Sequence, residues 1–118
     1  MLNNIFGIGV DLVDINKFIK KSYSENSSFY NKLFLPSEIK YCLKFKNPEQ
    51  HFAGKFAVKE SIKKSISNKV KFHEIETFHK NSKPMVSLKG KYSKKFSIIV
   101  SITHEKNFAI AFVIVEKV

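Results

Sequence analysis

The chain has 118 residues, 43% of them hydrophobic and 14% aromatic, which suits one domain over residues 1–118 and is too apolar for a disordered chain. A single cysteine, Cys42, excludes an intrachain disulfide framework and any multi-cysteine zinc site. The net charge is +11, and all 21 basic residues are lysines, so the chain attracts polyanions or acidic proteins through point charges rather than arginine forks.

Residues 5–13 read as a strand, with Phe6, Ile8, Val10 and Leu12 on one face and Gly7, Gly9, Asp11 and Val13 on the other. Asp14 reads as the cap of a helix through Lys21, in which Ile15, Phe18 and Ile19 are apolar at helical spacing. Residues 22–28, S-Y-S-E-N-S-S, read as a loop. A second helix is expected over residues 36–45, with Pro36 in its first turn. Asn47, Pro48 and Gln50 read as N-cap, first-turn proline and closing residue of a capping box, opening a helix that runs to about Ser67. Strands are expected over residues 72–78, 85–88, 96–103 and 108–116, with a turn at residues 81–84. The last two strands are apolar on both faces and are expected to be central; residues 104–107 join them as a hairpin. This order predicts an α+β fold, an antiparallel sheet packed on a long central helix.

No apolar run reaches the roughly 18 residues of a membrane span. The start Met1-Leu2-Asn3-Asn4 lacks the basic region of a secretory leader, so a reducing, cytoplasmic setting is expected.

On the long helix, Glu60 falls about 80° from Phe52, between Phe56 and Ala53, rather than on a lysine face. A carboxylate there needs a partner. Asp11 shares its strand face with Gly7 and Gly9, which leave room for a packed helix. If the two elements pack, Asp11 and Glu60 meet and require a cation or a shared proton. Mg²⁺ suits such hard oxygen ligands, and Lys59, Lys63 and Lys64 stand nearby for phosphate charge. From spacing alone, the plainer reading stays open: Glu60 pairs with a lysine, and Asp11 merely ends a strand or starts a turn.

Gly9-Val10-Asp11 followed by F-A-V-K-E-S-I-K-K over residues 56–64 resembles the two-part signature of the 4′-phosphopantetheinyl transferases. Gly7 to Ile15, F-A-G-K-F-A-V-K-E-S over residues 52–61 and V-S-I-T-H over residues 100–104 carry the likeness in order. Ser82-Lys83-Pro84 stands where that family has a G-K-P turn. The resemblance implies the 4′-phosphopantetheinyl transferase-like fold. It also implies the reaction: the phosphopantetheine arm of coenzyme A moves to a serine of apo-acyl-carrier protein, releasing adenosine 3′,5′-bisphosphate, in support of fatty acid biosynthesis. By the same resemblance, Asp11 and Glu60 hold Mg²⁺, Glu60 accepts the serine proton and Lys64 assists at the phosphates. Lys46, Lys55, Lys64, Lys83 and His104 are implied in coenzyme A binding, and Lys17, Lys20 and Lys21 in carrier-protein binding. Short single-unit members assemble as homotrimers with a site at each subunit boundary, and the same is expected here.

The glycine-rich loop that follows the catalytic helix in the family is missing from residues 65–72, leaving Lys69 and Lys71 as substitutes at the phosphates. The rival reading is a small lysine-rich nucleic-acid-binding module, with aromatics such as Phe45 or Tyr92 stacking on bases. It does not explain a carboxylate placed among alanines and phenylalanines.

Overall fold

Helix α4 (Pro48–Ser65) runs through the centre of the molecule in a computed structural model that describes residues 4–118. The start read above for a leader falls partly on residues 1–3, which lie outside the described residues. Residues 52 to 59 of α4 are buried without a break, as expected of a helix packed on all sides. A three-stranded antiparallel sheet covers one flank in the order β1 (Ile5–Asp14), β5 (Phe108–Lys117), β4 (Phe96–His104). Three short helices, α1 (Asn16–Ile19), α2 (Ser27–Leu33) and α3 (Pro36–Leu43), and the hairpin of β2 (Ile75–Lys80) and β3 (Lys83–Leu88) complete the fold. The α+β class and the antiparallel pairing are as expected, with the strands divided over two sheets.

Two glycines set the distance between β1 and α4. A Cβ on Gly9 would lie 2.1 Å from the Ser61 carbonyl oxygen, and one on Gly7 would lie 2.2 Å from that of Ser65. The helix backbone therefore rests directly on the strand. The Ser61 hydroxyl ties the helix to the neighbouring strand β5, lying within hydrogen-bond reach of the carbonyls of Ala57 (2.7 Å) and Ala111 (3.2 Å). The opposite sheet face is apolar and exposed. Val10 lies opposite Phe112, and Leu12 opposite Ile110, with Phe6, Ile8, Phe108 and Ile99 extending the patch.

Beyond the helix, Phe18 packs against Phe29, Tyr30, Phe34, Phe52 and Phe56. This cluster explains the main departures from the sequence reading. Residues 22–28 are not all loop: a 3-10 turn at Tyr23–Glu25 leads into α2, which forms because Tyr30 and Phe34 bury rings one helical turn apart. Helix α1 ends at Ile19 rather than Lys21. Asp14 does open it, accepting from the Asn16 amide at 2.9 Å, but the N-cap position itself is Ile15.

Further corrections concern element ends. Pro48 stands in the first turn of α4, but Asn47 makes no side-chain cap bond, so the capping box is absent; the helix stops at Ser65. Helix α3 stops at Leu43, short of residue 45. Residues 72–74 form a 3-10 turn, and the strand begins at Ile75. Strand β5 is central as expected, whereas β4 is an edge, because β3 packs near it without joining the ladder. His104 ends β4, leaving residues 105–107 as the hairpin connection.

Candidate active site

Asp11 and Glu60 line one open cleft of about 270 Å³, together with Asp14, Lys17 and Phe56. The glycine contact places them there: β1 and α4 lie close enough for side chains two residues from Gly9 and one residue from Ser61 to share a mouth. Lys64 donates to Asp11 Oδ1 at 2.7 Å and to the Val10 carbonyl at 3.2 Å. Lys17 holds its ammonium 4.3 Å over the Phe56 ring at the cleft wall. Among the described residues, no ion pair takes up Glu60, and no cluster of three His, Cys, Asp or Glu side chains surrounds a metal position. Mg²⁺ asks for little protein ligation, one or two carboxylates with water and substrate phosphate. The chemistry of the Asp11–Glu60 donor set fits that ion.

A second cavity, of about 240 Å³, lies on the β4 side of α4 and is lined by Lys55, His51, His79, His104, Tyr41 and Ile102, among others. Lys55 is buried and donates to Thr77 Oγ1 (3.0 Å) and the Thr77 carbonyl (3.2 Å), with its ammonium 4.7 Å over the Tyr41 ring. Burial pushes the Lys55 ammonium below its usual range, against the pull of Cys42 and Glu38. Desolvation also lowers His51 and His79; the positive neighbours His104, His79 and Lys55 push His51 further down, and Lys55 does the same to His79. The ring of His51 stacks on Phe45 at 3.7 Å, and that of His79 on Tyr41 at 4.8 Å. An ammonium and three imidazoles around one cavity supply nitrogen donors that can meet an anion. The sequence reading had Lys55 and His104 here and missed His51 and His79. The one available signal was His51, four residues before Lys55 and so on the same side of α4; His79 comes from β2, which no local pattern links to Lys55.

Lys59 is not available to a phosphate, contrary to expectation. It is fully buried in an ion pair with Glu38 at 2.6 Å and also donates to the carbonyls of Leu33 and Phe72. Glu38 in turn accepts from Leu35 N, Thr77 N and Thr77 Oγ1, so a single carboxylate ties α3, α4 and β2 together. Lys63 is likewise engaged, donating to the carbonyls of Asn68 (2.9 Å) and Val70 in the loop after α4. Of the three lysines read as phosphate partners near Glu60, only Lys64 reaches the cleft.

The remaining candidates lie outside both cavities. Lys46 is exposed in the turn before α4, and Lys83 is exposed between the cavity-lining residues Ser82 and Pro84. Lys20 caps the end of α1, and Lys21 sits 4.6 Å over the Phe29 ring, so the three carrier lysines do not share one helix. Lys69 and Lys71 are exposed on the loop after α4. The cleft and the cavity share no lining residue. Asp11 faces Ala111, which faces Ile102, so two strand spacings, about 10 Å, separate the two sites across the sheet.

The α+β fold is thus wrapped on one helix, with a carboxylate cleft on one flank and a lysine- and histidine-lined cavity on the other. The chain belongs to the 4′-phosphopantetheinyl transferase superfamily, whose family model matches residues 7–113. It is 39% identical over 116 residues to the holo-[acyl-carrier-protein] synthase of Thermodesulfovibrio yellowstonii, covering 94% of this chain and 98% of that one. The corresponding synthase of Clostridium tetani is 38% identical over 122 residues, 95% of this chain and 96% of the relative. Among solved structures, the Bacillus anthracis holo-(acyl-carrier-protein) synthase in complex with CoA (3′,5′-ADP) superposes with a TM-score of 0.82 at 28% identity, covering 98% of this chain and 99% of that one. The Helicobacter pylori synthase in complex with coenzyme A gives 0.78 at 31% identity, covering 92% and 99%.

Proposed function

We propose that this chain transfers the 4′-phosphopantetheine group of coenzyme A to a serine of apo-acyl-carrier protein, as a single transferase domain serving fatty acid biosynthesis in the cytoplasm. The observation that carries this reading is the Asp11–Glu60 cleft with Lys64 bonded to Asp11, in a chain of this superfamily that resembles the synthases along nearly its whole length. The lysine-rich nucleic-acid reading gains no support from the family match or from the related structures.

The carrier serine oxygen attacks the phosphorus that bears the pantetheine arm. The phosphoanhydride bond to the nucleotide breaks, and adenosine 3′,5′-bisphosphate leaves with the bond electrons. Glu60 accepts the hydroxyl proton, and Lys64 places positive charge at the phosphate oxygens. Asp11 and Glu60 would hold Mg²⁺, which neutralises pyrophosphate charge when bound. Lys55 and His104, with His51 and His79, receive the nucleotide phosphates; the exposed Lys46 and Lys83 add positive charge for the same phosphates. Lys17, Lys20 and Lys21 draw in the acidic carrier.

The proposed assembly is a homotrimer with a site at each subunit boundary, and two features support it. The cleft and the cavity lie on opposite sides of β5, an arrangement that suits a substrate groove completed by a second copy. The exposed apolar face of β1, β5 and β4 is a surface suited to that contact. A homotrimer closes such head-to-tail contacts into a ring.

The test is intact-mass spectrometry of an apo-acyl-carrier protein incubated with coenzyme A, Mg²⁺ and the protein. A serine-linked gain of one phosphopantetheine group, lost when Mg²⁺ is chelated, is the expected result. An unmodified carrier at high enzyme concentration would count against the reading.

A further inference from the structure

Two buried lysines of α4 depend on one buried carboxylate. Lys59 takes Glu38 Oε1 as its ion-pair partner at 2.6 Å. Lys55 lies one helical turn earlier and is only 3% exposed, yet among the described residues it forms no ion pair with any carboxylate. Its link to Glu38 runs through Thr77 of β2. Thr77 Oγ1 donates to Glu38 Oε2 at 2.6 Å, and Lys55 donates to Thr77 Oγ1 at 3.0 Å and to the Thr77 carbonyl at 3.2 Å.

Chemistry fixes the direction of this chain of bonds. Glu38 accepts from Lys59 and the Leu35 amide at one oxygen, and from the Thr77 amide and hydroxyl at the other. Paired with an ammonium, it is ionised and can only accept. The Thr77 hydroxyl therefore gives its proton to Glu38 and turns its lone pairs to the Lys55 ammonium, a charge-assisted bond at each end. Thr77 and Glu38 are buried and line neither the cavity nor the cleft, whereas Lys55 lines the cavity. His79, two residues after Thr77 and on the same face of β2, lines it as well.

We propose that Thr77, its hydroxyl locked by Glu38, is the positioning residue that presents the Lys55 ammonium to a phosphate of the nucleotide. The inference rests on the reading of this cavity as the nucleotide site. A lysine head on a long flexible stem loses rotamer freedom whenever it is fixed. Held at one point by Thr77, Lys55 gives up that freedom on folding rather than on binding, so its affinity for phosphate is higher. The same bonds tie β2 to α4 and so keep His79 and Lys55 at one spacing across the cavity.

The experiment titrates adenosine 3′,5′-bisphosphate into the full-length protein by calorimetry and measures kcat and KM for carrier modification. Lys55→Met tests the cavity reading and should lose about tenfold or more in affinity. Thr77→Val keeps the side-chain shape but removes the hydroxyl; it should lose about fivefold or more and raise the KM for coenzyme A to match. Its kcat and its KM for the carrier should stay within about twofold of the parent, and Thr77→Ser should bind as the parent does. In the Lys55→Met background, Thr77→Val should have less than about a twofold further effect, because it acts only through the ammonium; a merely structural role costs the same in both backgrounds. If Thr77→Val does not fold, Thr77→Cys, whose thiol is a weak donor and acceptor, should show the same loss. No binding to the parent, or parental affinity in Lys55→Met, would overturn the cavity reading and the proposal with it. A loss in Lys55→Met with parental affinity in the folded Thr77 variant, or equal losses from Thr77→Val in both backgrounds, would overturn the positioning role alone.

Discussion

Lys64 and Asp11, 53 residues apart in sequence, meet at 2.7 Å across the line where α4 lies on β1. The pair is the point at which the long helix and the first strand become one site, with Glu60 one helical turn away on the same side of α4. The Lys64 side chain is 53% exposed, so the contact itself adds at most about 1 kcal/mol to stability. Its value lies in placing charge. Asp11→Asn and Glu60→Gln should each lower kcat/KM for carrier modification by about 100-fold or more, the scale seen when a transition-state electrostatic group is removed. The melting temperature should stay close to that of the parent. Near-normal turnover of either variant at saturating Mg²⁺ would remove that residue from the site.

Gly9 should tolerate no side chain. A Cβ 2.1 Å from the Ser61 carbonyl forces strand and helix apart, because the obstacle is backbone and cannot rotate away. Gly9→Ala should cost about 1–3 kcal/mol by overpacking and carry Asp11 away from Glu60. Urea denaturation should show a lower midpoint, and activity should fall further than stability alone explains. A variant of parental stability and activity would mean that the contact is looser than described.

Ser82 stands at φ 65°, in the left-handed region, where the family resemblance has glycine. A Cβ in that conformation costs about 1–2 kcal/mol, part of which a glycine returns as chain entropy of the unfolded state. Ser82→Gly should therefore raise stability by about 0.5–1 kcal/mol, read as a small rise in melting temperature. A fall would place the Ser82 side chain in a supporting contact.

The imidazoles around Lys55 make stability depend on pH. His51 and His79 are held below their ordinary value of 6.5, by desolvation first and by neighbouring positive charge second. Just below pH 6.5 the unfolded chain thus binds more protons than the folded one. Their contribution to stability is fully present above that pH and is lost as pH falls through the depressed values. Phosphate bound among them reverses the preference, so adenosine 3′,5′-bisphosphate should take up protons on binding. Urea midpoints from pH 7 to 5 should fall for the parent and flatten for His51→Phe combined with His79→Asn. An identical slope in both proteins would contradict the shared environment.

The sheet and the cleft were readable because a few residues allowed only one arrangement. Alternation in β1 separates Gly7, Gly9 and Asp11 from Phe6, Ile8 and Val10, and a glycine face next to an apolar helix has few uses other than close packing. Helix α2 was hidden because its anchors, Tyr30 and Phe34, follow a serine- and asparagine-rich entry whose local preference is for turns; burial of the two rings overrides it. Lys59 was misread for a different reason. It lies seven residues after Phe52, almost the same helical direction, which already points it into the core; its partner Glu38 comes from another helix that no local pattern links to it. The edge position of β4 likewise depends on where β3 ends up, which strand composition does not encode.

Mixing two inactivated chains tests the shared site most directly. One chain carries Glu60→Gln and lacks a working cleft; the other carries Lys55→Met and His104→Ala and lacks a working nucleotide cavity. Each alone should leave apo-acyl-carrier protein unmodified by mass spectrometry. Unfolded together and refolded at equal ratio, they should regain roughly a quarter of parental activity, since about one subunit boundary in four then joins an intact cleft to an intact cavity. A mixture as inactive as its components, from chains that refold and associate normally, would contradict a site built from two copies.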